Sequence, residues 1–377
     1  MILVLVIITI IYLLLTGSFI YGFEKVKSFR LKNLPSVNKF SIVIPFRNEE
    51  KNIHALVDSI TVLKYPRALF EIIFVDDNSN DDSTNLIHSQ LSKQHSKGID
   101  FSVIKTKRHS NSPKKDAITT AIHLAKYDWI ITTDADCILP KYWLDSFDEF
   151  IQLNDIVSIA APVAYLETNS FLSRFQTLDF LSLQGATIGS FGLKKPFLCN
   201  GANFAYKKEI FNQLNGFEGS THIASGDDIF LLEKINKSNP KRIKFLKCHH
   251  AIVKTKPQES FRNLLSQRVR WAAKTSAYKN VFGKLTGLVV LLMNASIIIG
   301  LLGAIFNTIT WSTFIYILFI KFNIDVLLIY KAAAFYNQKR ALTSIIFSFI
   351  LYPFFSVYVA LLSMFKGYKW KNRPYKK

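Results

Sequence analysis

The chain reads as an α/β protein with a mostly parallel sheet, flanked at both ends by apolar segments of membrane length. Two observations predict this. Between residues 40 and 136, apolar runs alternate with stretches of helical period, and strands alternating with helices imply βαβ units. Hydrophobic residues make up 49% of the 377 positions, high against the roughly 45% of an ordinary soluble chain, and the excess lies at the two ends.

Residues 2–15, ILVLVIITIIYLLL, carry no charge, and the apolar stretch continues through Gly17 to Phe23. That is enough to cross a bilayer core, which takes about 20 residues. A cleaved signal peptide is the alternative. No Lys or Arg precedes the run and no small-residue cleavage site is clear, so a retained span over 1–23 is expected. Lys25, Lys27, Arg30 and Lys32 follow in a basic linker, 24–39, which the positive-inside rule assigns to the cytoplasm.

The central domain is expected over 40–260. FSIVI at 40–44 is a strand stopped by Pro45, and Asn48, Glu49 and Glu50 open a helix at 51–63; acidic residues early in a helix suit its dipole. FEIIFVDDNSNDDS at 70–83 is a strand ending in carboxylates, followed by a helix at 82–93. FSVIKT at 101–106 is a third strand, KKDAITTAIHLAK at 114–126 a third helix, and WIITTDAD at 129–136 a fourth strand. After an interfacial helix at 261–283, a membrane region of two or three spans is expected over 284–365, then a basic tail at 366–377. Residues 285–306 and 341–365 are long enough to span. Lys321 and Asp325 interrupt 311–330, although an i,i+4 pair of opposite sign partly neutralises itself.

The net charge is +20, from 47 Lys and Arg against 27 Asp and Glu. On a membrane protein this fits a surface facing anionic lipid. No zinc spacing, RNP-like aromatic motif or basic heptad points to nucleic acid, so no nucleic-acid partner is expected. Cys137, Cys199 and Cys248 are odd in number and lack metal-site spacing, as reduced intracellular thiols would be. His249 and His250, adjacent beside Cys248, would face opposite ways on a strand and receive no role.

In parallel sheets ligands bind beyond the carboxyl ends of the strands. Asp76, Asp77, Asp134 and Asp136 all fall there. Alternation along an extended segment puts Asp134 and Asp136 on one side, where they repel unless something cationic pairs with them. Mg2+ or Mn2+, which favour carboxylate oxygens and bridge to phosphates, are the simplest cations. The alternative is that DAD caps a turn.

Six segments in order resemble the family-2 glycosyltransferases, in particular the membrane-bound subgroup of cellulose, hyaluronan and ceramide glycosyl transferases. SIVIPFRNEEKNI at 41–53 resembles the family's opening strand and helix. VDDNSNDDS at 75–83 resembles its V-D-D-x-S-x-D-x-S/T, TTDADC at 132–137 its D-x-D, and NGANFAYKKEIF at 200–211 its G-x-x-x-A-x-R/K-R/K. SGDDIFL at 225–231 resembles its (E/D)-D element and QRVRW at 267–271 its Q-x-x-R-W. PKKDAI at 113–118 departs from the family's G-K-x-x-A-L, with Pro113 in place of glycine and Lys114 retained.

The resemblance implies a GT-A type nucleotide-sugar-binding domain and an inverting, metal-dependent hexosyltransferase. It implies that Glu49, Asp76, Asp77, Lys114 and Asp134 bind the donor nucleotide, and that Asp136, with Asp134, holds Mg2+ or Mn2+. It implies Asp228 as the general base with Asp227 as its partner, and Gln267, Arg270 and Trp271 at the diphosphate and acceptor. Some of these have a plainer reading beside them. Glu49 is an acidic residue near a helix start, Asp227 a helix cap, and QRVRW part of an interfacial amphipathic helix. The donor is expected to be a nucleotide sugar, UDP-linked by preference, and the acceptor a lipid-linked or glycan hydroxyl. The setting is a multi-pass cell-membrane protein with its catalytic domain in the cytoplasm. Three spans after that domain would put the Lys-rich tail outside, against the positive-inside rule. Either 311–330 does not fully cross, or the last segment re-enters near Pro353. Processive polysaccharide synthesis is the alternative function, and a catalytically silent membrane scaffold is another.

Overall fold

The computed structural model describes residues 1–93, 98–365, 368–370 and 373–375, and the chain separates into two compact units. One comprises Met1–Val26, Glu167–Phe197 and Pro257–Lys377; the other Lys27–Leu166 and Leu198–Lys256. The first begins with helix α1 (Ile2–Lys25).

The second unit holds the α/β fold that the sequence predicts. Its strands and helices run β1 (Phe40–Phe46), α2 (Glu50–Thr61), β2 (Phe70–Asp76), α3 (Ser83–Leu91), β3 (Asp100–Lys105), α4 (Pro113–Leu124), β4 (Trp129–Thr132), β5 (Cys137–Ile138), α5 (Trp143–Gln152), β6 (Ser158–Ala160) and β7 (Val163–Tyr165). After α6 (Phe171–Gly192), which belongs to the first unit, come β8 (Phe204–Lys207), α7 (Lys208–Gln213), α8 (Asp227–Ser238), β9 (Ile243–Phe245) and β10 (Val253–Thr255). A seven-stranded sheet has the order β3-β2-β1-β4-β8-β6-β9, in which only β8 runs antiparallel to its neighbours. β1 and β2 are apolar almost throughout because helices cover both faces of such a sheet. A small second sheet, β5-β10-β7, lies beside it in the chain order.

Two expectations need correcting here. Pro45 does not stop β1, which continues to Phe46; the ladder with β4 ends at Val43, so a residue without an N–H is tolerated beyond it. The fourth strand stops at Thr132, not at 136. Thr133 N–H donates to Val43 O and Cys137 N–H to Asp134 O at 3.2 Å, so Asp134-Ala135-Asp136 forms a turn. The alternation argument for the two carboxylates therefore does not apply; a turn presents them.

The first unit is helical: α1, α6, α9 (Phe261–Ala273), α10 (Val281–Ile305), α11 (Trp311–Phe335) and α12 (Ile345–Phe365). Among the described residues, four helical stretches are long and apolar enough to cross a membrane: Ile2–Lys25, Val281–Ile305, Trp311–Phe335 and Lys339–Phe365. Lys321 and Asp325 do form the i,i+4 ion pair, at 2.5 Å, with the Tyr12 hydroxyl also donating to Asp325. α12 runs unbroken through Pro353. The helix expected over 261–283 ends at Ala273, and α10 starts at Val281. Residues 167–197, read as part of the central domain, group instead with the long apolar helices. Their helix meets α1 through glycines: a Cβ on Gly189 would lie 2.4 Å from Phe19 O, and one on Gly22 2.1 Å from Gly189 O. In the basic tail, Tyr368–Trp370 pairs with Arg373–Tyr375; residues 366, 367, 371, 372, 376 and 377 lie outside the described ones.

Candidate active site

In the α/β unit the DAD turn follows β4, and α4 starts at Pro113. Proline suits the first helical position, where its missing N–H costs nothing, which accounts for the departure from glycine there. The next residue, Lys114, supplies a cation to one of the DAD carboxylates, Asp134. Its Nζ lies 2.7 Å from Asp134 Oδ1 and 3.3 Å from Asp227 Oδ2. Burial pulls Lys114 down, but Asp134, Asp227 and Asp228 outweigh it and hold the ammonium well above the usual lysine range.

Asp227 and Asp228 are the first two residues of α8, after Gly226 in the left-handed region at φ 83°. Gly226, not Asp227, is the N-cap, so the capping role considered for Asp227 is not what it does. Asp228 Oδ2 accepts from Gly201 N–H at 3.0 Å. A Cβ at Gly201 would meet Asp227 Oδ2 at 2.9 Å and Lys114 Nζ at 3.3 Å; only glycine lets the backbone come this close to the carboxylates. The Tyr206 hydroxyl is buried and makes no hydrogen bond; burial and the charge of Asp227 raise its pKa.

At the ends of β1 and β2 the predicted donor residues separate into two environments. Asp76 Oδ1 accepts from Ser79 N–H at 2.8 Å and the residue is half-buried. Asp77 is buried and paired with Arg108, and Arg47 Nη1 donates to its carbonyl at 3.1 Å. Burial pushes the Asp77 carboxyl up to about 6, against the pull of Arg108 and Arg47. Glu49 accepts from Asn52 Nδ2 at 2.6 Å, three residues on in α2, which is the structural half of its two readings. Much of VDDNSNDDS stitches the two loops together. Asn48 N–H donates to Ser79 Oγ, Glu49 N–H to Ser83 Oγ, and Glu50 N–H to Asp81 Oδ2.

Asp134, with its side chain 37% exposed, and half-buried Asp136 flank one turn. Among the described residues no group of three His, Cys, Asp or Glu is placed to hold a metal. Two carboxylates fit an ion that keeps several waters and is bound through one or two carboxylates plus phosphates. The neighbouring Cys137 thiol is pushed well up by burial and by Asp136 and Asp134, which makes it inert.

Gln267, Arg270 and Trp271 lie on α9 of the helical unit. Gln267 Oε1 accepts from Arg268 Nη1, and Trp271 faces the Arg268 guanidinium.

Sequence reasoning missed several residues around these. Arg108 follows β3, and the general position of ligand sites beyond strand ends could have flagged it. Gly201 stands in the sequence only as one residue of a motif segment. Lys115, 1% exposed, donates to the carbonyls of Ser220 and Ile223 and holds the segment that leads into Asp227 and Asp228. No local signal separates it from its half-buried neighbour Lys114.

A glycosyl transferase family 2 model matches residues 41–214, and a glycosyl transferase family group 2 model matches residues 129–364. A poly-beta-1,6-N-acetyl-D-glucosamine synthase of Staphylococcus epidermidis is 24% identical over 271 residues, 68% of this chain and 61% of that protein. One of Staphylococcus aureus strain COL is 24% identical over 180 residues, 45% of this chain and 41% of that protein. The chain thus spans less than two thirds of the length of these relatives. A mannosyltransferase from Pyrobaculum calidifontis, solved in complex with GDP-Man and Mn2+, is similar in fold, with a TM-score of 0.55 at 14% identity over 97% of this chain and 99% of that one.

Proposed function

The chain belongs to glycosyl transferase family group 2, and from that premise we propose that it is an inverting transferase moving a sugar from a nucleotide sugar to a lipid-linked or glycan hydroxyl at the cell membrane. The observation that carries this reading is Lys114, whose ammonium joins Asp134 of the DAD turn to Asp227 of the GDD helix start. A donor-binding carboxylate and the base pair are thereby tied into one charged cluster.

In this reading Asp76 accepts from the N–H of the base, and Asp77, Glu49 and Lys114 complete the nucleotide site. Asp134 and Asp136 would hold a divalent cation, Mg2+ or Mn2+, which would offset charge on the diphosphate. Asp228 takes the proton of the acceptor hydroxyl. The acceptor oxygen bonds to the anomeric carbon as the bond from that carbon to the diphosphate oxygen breaks. The nucleoside diphosphate leaves, and the configuration inverts. Gly201 N–H holds Asp228 Oδ2, which leaves its orientation defined before substrate arrives. Gln267, Arg270 and Trp271 serve the diphosphate and acceptor. The basic linker and the +20 charge support a catalytic unit on the cytoplasmic side of a multi-pass protein. Repeated transfer, building a polysaccharide, is the second reading; similarity to proteins named as poly-N-acetylglucosamine synthases favours it.

The test is nucleotide release by the full chain in detergent, offered UDP-, GDP- and dTDP-sugars with Mg2+ or Mn2+ and a membrane lipid extract. Release of one nucleotide, abolished in Asp136→Ala and lowered roughly 10²–10⁴-fold in Asp228→Asn, is the expected result. Undiminished transfer by Asp228→Asn would sink the assignment of the base. The number of sugars per acceptor separates single from repeated transfer.

A further inference from the structure

The helix that carries QRVRW also carries a buried cation between the motif's named positions. Arg268 and Asp179 of α6 have side chains only 6% and 5% exposed, and Arg268 Nε donates to Asp179 Oδ2 at 2.6 Å. Asp179 Oδ1 accepts from the Tyr352 hydroxyl of α12 at 3.0 Å. On its other side Arg268 Nη1 donates to Gln267 Oε1, and the guanidinium carbon lies 4.2 Å from the centroid of the Trp271 ring. Phe180, next to Asp179, packs on the same indole, with centroids 6.4 Å apart.

Burying an ion pair is a weak source of stability, because desolvation offsets most of the attraction. These three helices do not depend on it for contact: Phe175, Leu264, Val269, Phe355 and Val359 already form an apolar cluster between them. What the pair adds is direction. A guanidinium is a planar, always-charged fork that binds carboxylate, amide oxygen and aromatic face at fixed angles.

We infer that Arg268, oriented by Asp179 and Tyr352, is a positioning residue that sets the side chains of Gln267 and Trp271 for sugar transfer. The inference rests on the proposed role of Gln267 and Trp271 at the diphosphate and acceptor, and its experiment has one arm that does not.

That arm is tryptophan emission of the full chain in detergent, without substrate. Arg268→Gln is expected to shift the emission, and the shift is expected to vanish when Trp271→Phe is also present. Tyr352→Phe, which removes one hydrogen bond and leaves the ion pair, is expected to give a smaller shift of the same sign. It keeps the arm readable if Arg268→Gln does not fold. The second arm is kcat and KM with the nucleotide sugar found active in the donor panel. Arg268→Gln should lower kcat by roughly tenfold to a hundredfold, with KM for the donor changed by less than about twofold. Arg268→Lys, which keeps charge without the fork, should recover part of the loss. An emission spectrum unmoved by Arg268→Gln and Tyr352→Phe overturns the inference. So does an unchanged kcat in Arg268→Gln while Gln267→Ala lowers it. If Gln267→Ala and Trp271→Ala both leave transfer intact, the motif's proposed role fails instead, and the emission arm still reports on the position of Trp271.

Discussion

A single missing methyl group decides how the charges of the α/β unit meet. The Gly201 backbone N–H reaches Asp228, and its empty Cβ position faces Asp227 and Lys114 at 2.9 and 3.3 Å. Gly201→Ala should push these groups apart and lower the transfer rate by about tenfold or more, with the melting temperature changed little; kinetics beside thermal unfolding check this. Asp77 gives a pH signature. Its carboxyl is raised from 3.8 to about 6, mainly by burial, so the folded state keeps a proton that the unfolded chain releases. The stabilising contribution is full below about pH 4 and is lost as pH rises through 6, at most about 3 kcal/mol. Asp77→Asn should flatten the fall in melting temperature between those pH values. An unaltered slope would mean that Arg108 keeps the carboxylate charged.

Helix contacts set the helical unit. α1 and α6 cross where Gly22, Gly189 and Gly192 remove side chains; a Cβ on Gly192 would lie 1.8 Å from Gly22 O. Small residues permit such close backbone approach where lipid supplies no hydrophobic drive. Gly189→Val should destabilise by about 1–3 kcal/mol or more, seen as a lower melting temperature in detergent, whereas Gly17→Ala, with nothing within 4 Å of its Cβ, should not. In the α/β unit, loops rather than strands do the comparable work. Lys115, in the first turn of α4, holds the segment at 220–223 by its carbonyls, and Asp81 accepts from the N–H groups of Glu50 and Ser83 at the starts of α2 and α3, which is how segments between regular elements stay ordered around a charged site.

For the whole molecule, the reading of a metal-assisted transferase predicts that chelation with EDTA abolishes nucleotide release and that Mn2+ or Mg2+ restores it. Activity untouched by EDTA would leave Lys114 as the cation that serves the DAD turn. The four apolar stretches predict that the chain stays in the membrane fraction after an alkaline carbonate wash.

The alternation of strands and helices in the α/β unit, the acidic residues that follow the second and fourth strands and the membrane-length segments were legible in the sequence. They follow from local periodicity and composition, which each stretch of chain carries by itself. The Lys321–Asp325 pair was legible for the same reason, four residues apart on one helix. The end of β4 at Thr132 was not, because it depends on where β1 and β8 stop offering partners. Nor was the membership of Phe171–Gly192, a helix of mixed composition whose partners α1 and α11 lie far away in the chain. The joining of Asp134, Lys114 and Asp227 spans more than a hundred residues, and Asp179, which binds Arg268 from 89 residues before it, is in turn held by Tyr352 173 residues away. Such pairings have no sequence signature, since charge at one position says nothing about which opposite charge the fold will bring to it. Local chemistry is written along the chain; which of its charges meet is decided only when the chain closes on itself.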